Sequence, residues 1–168
     1  EVDRVQRSLL QGYQYDIAHY ATAEEKVKAE KCYLSLAKQL LDKENHKFQY
    51  KEIEHGGRAQ KYYSSVEWLL RADMVQLCKL VTDVRFDLDD YARDDFFRAY
   101  TTDLSLLMAM KDFSLKQHIV ENTLTGKSQS GIYECAIADA LYKKGYQIYF
   151  YKNETTKREI DVIIQKDG

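Results

Sequence analysis

The most constraining feature of the sequence is a change of hydrophobic period towards its end. From Gly131 to Leu141 the apolar residues recur at spacings of one, three and four, which predicts an amphipathic helix. The segments 146–151 and 159–164 are rich in aromatic and β-branched residues, which is typical of strands. The final Asp167-Gly168 is a hairpin-turn signal with no strand after it. We therefore expect the sequence to break off in mid-sheet.

The predicted helix and the predicted strand over 159–164 carry acidic residues that are candidate metal ligands. The period of two places Glu159 and Asp161 on one face of the strand, and Glu134 falls beside the apolar stripe of the helix. A metal-dependent nuclease needs clustered acids that hold Mg²⁺ beside the phosphate, and a lysine. The candidate catalytic and metal residues are Glu134 and Asp161, with no cofactor-binding residue. The alternative is that these acids face water from a helix edge and an exposed sheet face.

The first part of the chain has the periodicity of helices. The residues Val2, Val5, Leu9, Tyr13, Ile17 and Tyr20 step by three and four. Further on, the order from Lys47 to Val81 predicts a short helix over 48–53, a glycine turn, a helix from Arg58 to Ala72 and a strand. That order is the layout of a winged helix-turn-helix, with Tyr63, Val66, Leu69 and Leu70 as buried residues.

The second helix of this module carries the candidate nucleic-acid-binding residues. Its outer face is expected to present Arg58, Lys61 and Arg71, together with Ser64 and Ser65. Against DNA binding stands the net charge of −2, since a DNA reader usually carries a basic excess. The alternative is a module that docks proteins, in which these polar residues are simply solvated.

Composition and local sequence indicate how the chain divides into domains and in which compartment it resides. The stretch from Thr125 to Gly131 is rich in glycine and serine and resembles a linker. We therefore predict a helical, winged-helix-like domain over 1–115 and an incomplete nuclease-like domain over 116–168. Three widely spaced cysteines indicate reduced thiols and a cytoplasmic protein. No apolar run approaches the roughly 20 residues that span a bilayer, so no membrane partner is expected.

These pieces, in this order, resemble the C-terminal region of bacterial and archaeal AAA+-type P-loop ATPases, the domain-of-unknown-function 4143 family. The resemblance covers most of the chain, and Ser105 departs from it where glycine is expected. It is carried by the stretches 48–75, 97–107, 132–141 and 144–168. The fold that we expect is α+β, with a mainly helical N-terminal part that contains a winged helix-turn-helix. A truncated α/β part like a restriction endonuclease follows.

The resemblance also implies a function. It implies a P-loop ATPase domain ahead of this region, so ATP and Mg²⁺ would be cofactors of the parent protein and none is expected here. It implies a PD-(D/E)xK nuclease-like end, in which Glu134 and Asp161 match the first two acids. The expected function is an accessory region of a AAA+-type ATPase that binds or acts on nucleic acid. The alternatives are a non-catalytic protein-docking scaffold and a metal-dependent nuclease in the intact protein. The expected partners are the rest of the ATPase chain, DNA or another protein.

Overall fold

The computed structural model describes residues 1–41, 47–111 and 113–166. The predicted α+β class is confirmed, with six helices and a four-stranded mixed sheet in this part of the chain. The helices are α1 (Val2–Tyr20), α2 (Lys26–Leu41), α3 (Ala59–Arg71), α4 (Leu104–Ala109), α5 (Phe113–Val120) and α6 (Gly126–Tyr142). The strands are β1 (Val75–Val81), β2 (Ala92–Thr101), β3 (Ile148–Asn153) and β4 (Arg158–Ile164).

The strands form one sheet in the order β2-β1-β3-β4. β1 pairs with β2 in antiparallel fashion, β3 pairs likewise with β4, and the central strands β1 and β3 run parallel. The parallel contact is short and joins Lys79–Val81 to Tyr149–Tyr151. The sheet is therefore continuous across residue 115, where the sequence predicts a domain boundary. The division into 1–115 and 116–168 stays a prediction.

Helices α2 and α6 cross at Gly131. A Cβ atom added to Gly131 would lie 1.8 Å from the backbone oxygen of Leu40, so no side chain fits there. Three residues earlier, the Ser128 hydroxyl donates a hydrogen bond of 2.9 Å to the oxygen of Leu41. The interpretation of 125–131 as a linker is therefore wrong. Most of this segment belongs to α6, and its small residues allow the backbones of α2 and α6 to lie close together.

The predicted helix-turn-helix is only partly formed. Helix α3 and strand β1 lie where the sequence predicts them, but the expected helix over 48–53 is a single 3-10 turn at Tyr50–Glu52. The chain is extended at Gln49, and the preceding Phe48 binds β2. Its amide donates to the oxygen of Phe97 at 2.8 Å, and the two rings stack with centroids 5.7 Å apart.

The buried face of α3 differs by part of a turn from the predicted one. The buried residues of this helix are Tyr62, Ser65, Val66 and Leu69, which follow steps of three and one. Val66 and Leu69 are thus buried as predicted, whereas Tyr63 and Leu70 are exposed. Each exposed residue follows a buried one directly, so it is rotated by about 100° away from the core.

Candidate functional site

The centre of the candidate site is Arg98, a residue of β2. Its side chain is only 1% exposed and extends over the sheet, with the guanidinium carbon 4.4 Å from the ring centroid of Phe150 in β3. A buried guanidinium is costly unless hydrogen bonds and opposite charges compensate it. The surrounding carboxylates supply that compensation.

The two predicted metal ligands both lie against this arginine. Arg98 Nη1 donates to Asp161 Oδ1 at 3.2 Å and lies 3.6 Å from Glu134 Oε2. Nη2 donates to Glu159 Oε1, on the same face of β4 as Asp161. Helix α6 and strand β4 thus bring three carboxylates to one cation, as the period-two pattern of β4 requires.

Tyr100 completes this arginine–carboxylate cluster, which we define as Arg98, Tyr100, Glu134, Glu159 and Asp161. The Tyr100 hydroxyl donates to Glu134 at 3.1 Å, and Lys152 Nζ lies 3.7 Å from Glu159 at the edge. Burial, together with the charge of Glu134, raises the pKa of Tyr100. Burial also works to lower the pKa of Arg98, but its neighbours, Tyr100 and Glu134 foremost, hold that pKa above its ordinary value. Arg98 therefore remains charged.

The cluster fits charge neutralisation better than metal binding. A hard cation needs several oxygen ligands directed at one point, and here that point is held by the guanidinium of Arg98. Within the described ranges, no group of three histidine, cysteine, aspartate or glutamate residues is arranged to hold a metal ion. The residues therefore do not fit Mg²⁺ while Arg98 is in place. The assignment of Glu134 and Asp161 as metal ligands stays a prediction.

The sequence patterns do not indicate Arg98 as a site residue. Its one signal is a single arginine between Phe97 and Ala99, within a run of apolar residues. Its partners lie 36 to 63 residues further along the chain, so local patterns could not indicate the contact. A lone arginine in the pattern of a buried strand predicts that acidic residues from elsewhere in the chain lie beside it, because a buried positive charge needs compensation.

The predicted nucleic-acid-binding residues are spread along α3. Arg58 precedes the helix and Arg71 ends it, which separates their backbones by about 20 Å. Lys61 contacts the carboxylate of Glu54, and this hydrogen bond lowers the pKa of Glu54 to about 2. Ser65 is fully buried and bonds to Glu25, so its placement on the outer face is wrong. Lys61 is thus neutralised within the chain.

Helix α1 presents an apolar stripe to solvent. Its buried residues are Leu10 and Ile17, which face the rest of the protein. On another face, the exposed fractions of Val2, Val5 and Leu9 are 70%, 50% and 48%. We call these three residues the outer stripe. The predicted helix is therefore confirmed, but its apolar residues divide between a buried and an exposed face.

None of the helices in the described ranges is long and apolar enough to cross a membrane.

Comparison with known protein families corrects the resemblance stated above. The model of a family described as a domain of unknown function, DUF8612, matches residues 1–117. The assignment to the 4143 family is therefore wrong, and the association with AAA+-type ATPases, together with their ATP and Mg²⁺, loses its support. Comparison with curated proteins and with solved structures gives no match.

Proposed function

The chain belongs to the DUF8612 family, and we propose that it is a non-catalytic module that docks a partner protein. The outer stripe of α1 carries this proposal. Val2, Val5 and Leu9 are consecutive members of one helical stripe, and all three are about half exposed or more. A contiguous exposed apolar surface of this kind is typical of protein interaction sites.

The spacing of the outer stripe indicates the kind of partner. Steps of three and then four residues are those of a coiled-coil seam, in which the side chains of a second helix pack between those of the first. The flanking Gln6 and Ser8 are uncharged, so they do not repel an approaching helix of either charge. The partner that fits is an amphipathic helix of another protein with apolar residues at the same spacing.

The rival functions have less support from the charges. A nuclease needs free carboxylates for a metal ion, but those of the arginine–carboxylate cluster already compensate Arg98. A DNA-binding helix needs basic residues directed at phosphates, but Lys61 is bound to Glu54 and the net charge is −2. A metal ion would therefore have to displace the pairs with Arg98, and a phosphate contact by Lys61 would have to displace its pair with Glu54.

Position-specific photo-crosslinking in the native host tests the docking function. A photoreactive residue at Val5 should give a crosslinked product whose partner segment, mapped by mass spectrometry, is an amphipathic helix. The same residue at Gln11, which is exposed on the opposite face of α1, should give no such product. Leu9→Asp should reduce the yield about tenfold, as expected for the loss of about 1.4 kcal/mol. Gln11→Asp is the matched control and should leave the yield unchanged. Equal products from Val5 and Gln11 would refute the proposal.

We also propose that the protein resides in the cytoplasm. Cys32, Cys78 and Cys135 are all buried free thiols. Persistent free thiols are typical of reducing compartments. Protein that is alkylated during extraction under denaturing conditions should carry three labelled cysteines. A disulfide between any two of them would contradict the proposal.

A further inference from the structure

A pocket lies where β1 extends beyond the start of β3. The parallel pairing begins only at Lys79, so the first half of β1 has no β3 residue beside it. The Gln147 side chain crosses this gap and donates to the oxygen of Leu77 at 2.9 Å. Beside this contact lies a cavity of about 470 Å³ between β1 and the last turns of α3 and α6. We call it the β1–α6 pocket. Its volume lies within the range of ligand pockets, roughly 300 to 1,000 Å³.

Five of the nine residues that line the β1–α6 pocket are aliphatic or aromatic. Leu70 and Leu77 line it from α3 and β1, and Tyr142, Tyr146 and Ile148 line it from the end of α6 and the start of β3. Lys143 lies at the same pocket but forms an ion pair of 2.9 Å with Asp139. Such walls suit a flat ring without charge better than a phosphate.

Gln76 is the unusual residue of this pocket. It is 4% exposed, and neither Oε1 nor Nε2 of its side chain has a hydrogen-bond partner in the described part of the chain. It lies opposite Tyr100 in the β1–β2 register, and Tyr100 bonds to Glu134 of α6, so Gln76 projects to the α6 side of the sheet. A buried amide without partners is costly, and native proteins rarely retain one without a use.

We propose that the β1–α6 pocket binds a small, neutral, planar heterocycle that presents a hydrogen-bond donor and an acceptor side by side, as an adenine ring does. A glutamine amide forms two parallel hydrogen bonds with the N6 and N7 edge of adenine, because its acceptor and donor have the same spacing. Leu70, Tyr142 and Tyr146 cover the faces of the ring. In the proposed complex the Gln76 amide turns about its terminal torsion towards the ligand, so that both of its buried polar atoms gain the partners that the described residues do not supply.

Adenine itself is the probe for this proposal. The whole chain is titrated with adenine, and binding is measured by calorimetry and by the amide resonances of β1 and α6 in NMR spectra. The expected dissociation constant is about 1 mM, as is usual for a ligand of this size. The shifted resonances should include those of Gln76 and Tyr146. Absence of binding at ten times that concentration would overturn the proposal.

Two variants test the contribution of the Gln76 amide separately from that of the pocket walls. Gln76→Met preserves length and apolar contact but removes both hydrogen bonds, so adenine affinity should fall about tenfold or more. Indole, which cannot form the paired bonds, should bind Gln76→Met at least as well as the original chain. Leu70→Phe fills the pocket and should abolish binding of both compounds. If adenine binds Gln76→Met with unchanged affinity, or binds Leu70→Phe normally, the pocket does not bind adenine as proposed. Both variants should keep the circular dichroism spectrum of the original chain.

Discussion

The Arg98 guanidinium of β2 reaches Asp161 of β4, although β1 and β3 lie between their strands. This hydrogen bond of 3.2 Å and a second one from Arg98 to Glu159 connect the two edges of the sheet. Glu134 of α6 shares the same Nη1 atom, so the contact also holds the helix against the sheet. Arg98 therefore links β2, β4 and α6, three elements that are distant in sequence.

Arg98→Met should destabilise the protein by about 3 kcal/mol. The substitution keeps most of the apolar stem but leaves Glu134, Glu159 and Asp161 together without their cation. Arg93→Met is the matched control, because Arg93 is an exposed residue of the same strand and pairs with Asp95 at the surface. It should cost about 1 kcal/mol or less. Urea denaturation measures the free energy of unfolding of both variants. Equal losses would show that Arg98 does not link these elements.

Gly131→Ala should destabilise the protein by about 2 kcal/mol or more. The new Cβ atom would collide with the backbone oxygen of Leu40, so α2 and α6 would have to separate. Gly12→Ala in α1 is the matched control, because nothing lies within 4 Å of the added atom. There the better helix propensity of alanine should stabilise the chain by up to about 1 kcal/mol. Thermal unfolding distinguishes them, and a stabilising Gly131→Ala would refute the close crossing.

Stability should fall as the pH rises above 9. Burial raises the pKa of the Cys32 and Cys78 thiols from 9.0 to about 12 and that of Cys135 to about 11. Below pH 9 the thiols are protonated in both the folded and the unfolded chain. Between pH 9 and 12 the unfolded chain releases these protons and the folded chain retains them, so unfolding becomes more favourable.

Urea midpoints measured from pH 8 to pH 11 test this dependence on the thiols. Cys78→Ala should make the decrease shallower, whatever its effect on stability at neutral pH. Parallel curves for the two proteins would show that this thiol does not titrate in the expected range.

Mg²⁺ and Mn²⁺ should neither raise the melting temperature nor support cleavage of DNA by this chain. The oxygens that would bind the ion already compensate Arg98, so little affinity remains for an added cation. Supercoiled and single-stranded DNA are the substrates, with Asp161→Ala as the control. Cleavage that requires metal and disappears in the control would show that the acids act as catalytic ligands.

Local patterns predicted the elements but not the contacts between distant ones. The periodicity indicates α3 and both strands of the last hairpin, and the structure has these elements. The local sequence around Gly131 indicates a linker, because its neighbour in space, Leu40, lies far away in the sequence. Two of the predicted acids do meet, but their common partner could not be inferred from spacing. Close packing of distant residues decides such details.

The short parallel contact between β1 and β3 has a consequence for synthesis on the ribosome. Residues 75–101 can form the β1–β2 hairpin as soon as they emerge, but the other edge of β1 stays bare until about 50 further residues have followed. An exposed strand edge is a template for pairing between nascent chains. The sheet of this protein is therefore completed late, only when translation delivers the segment 148–153.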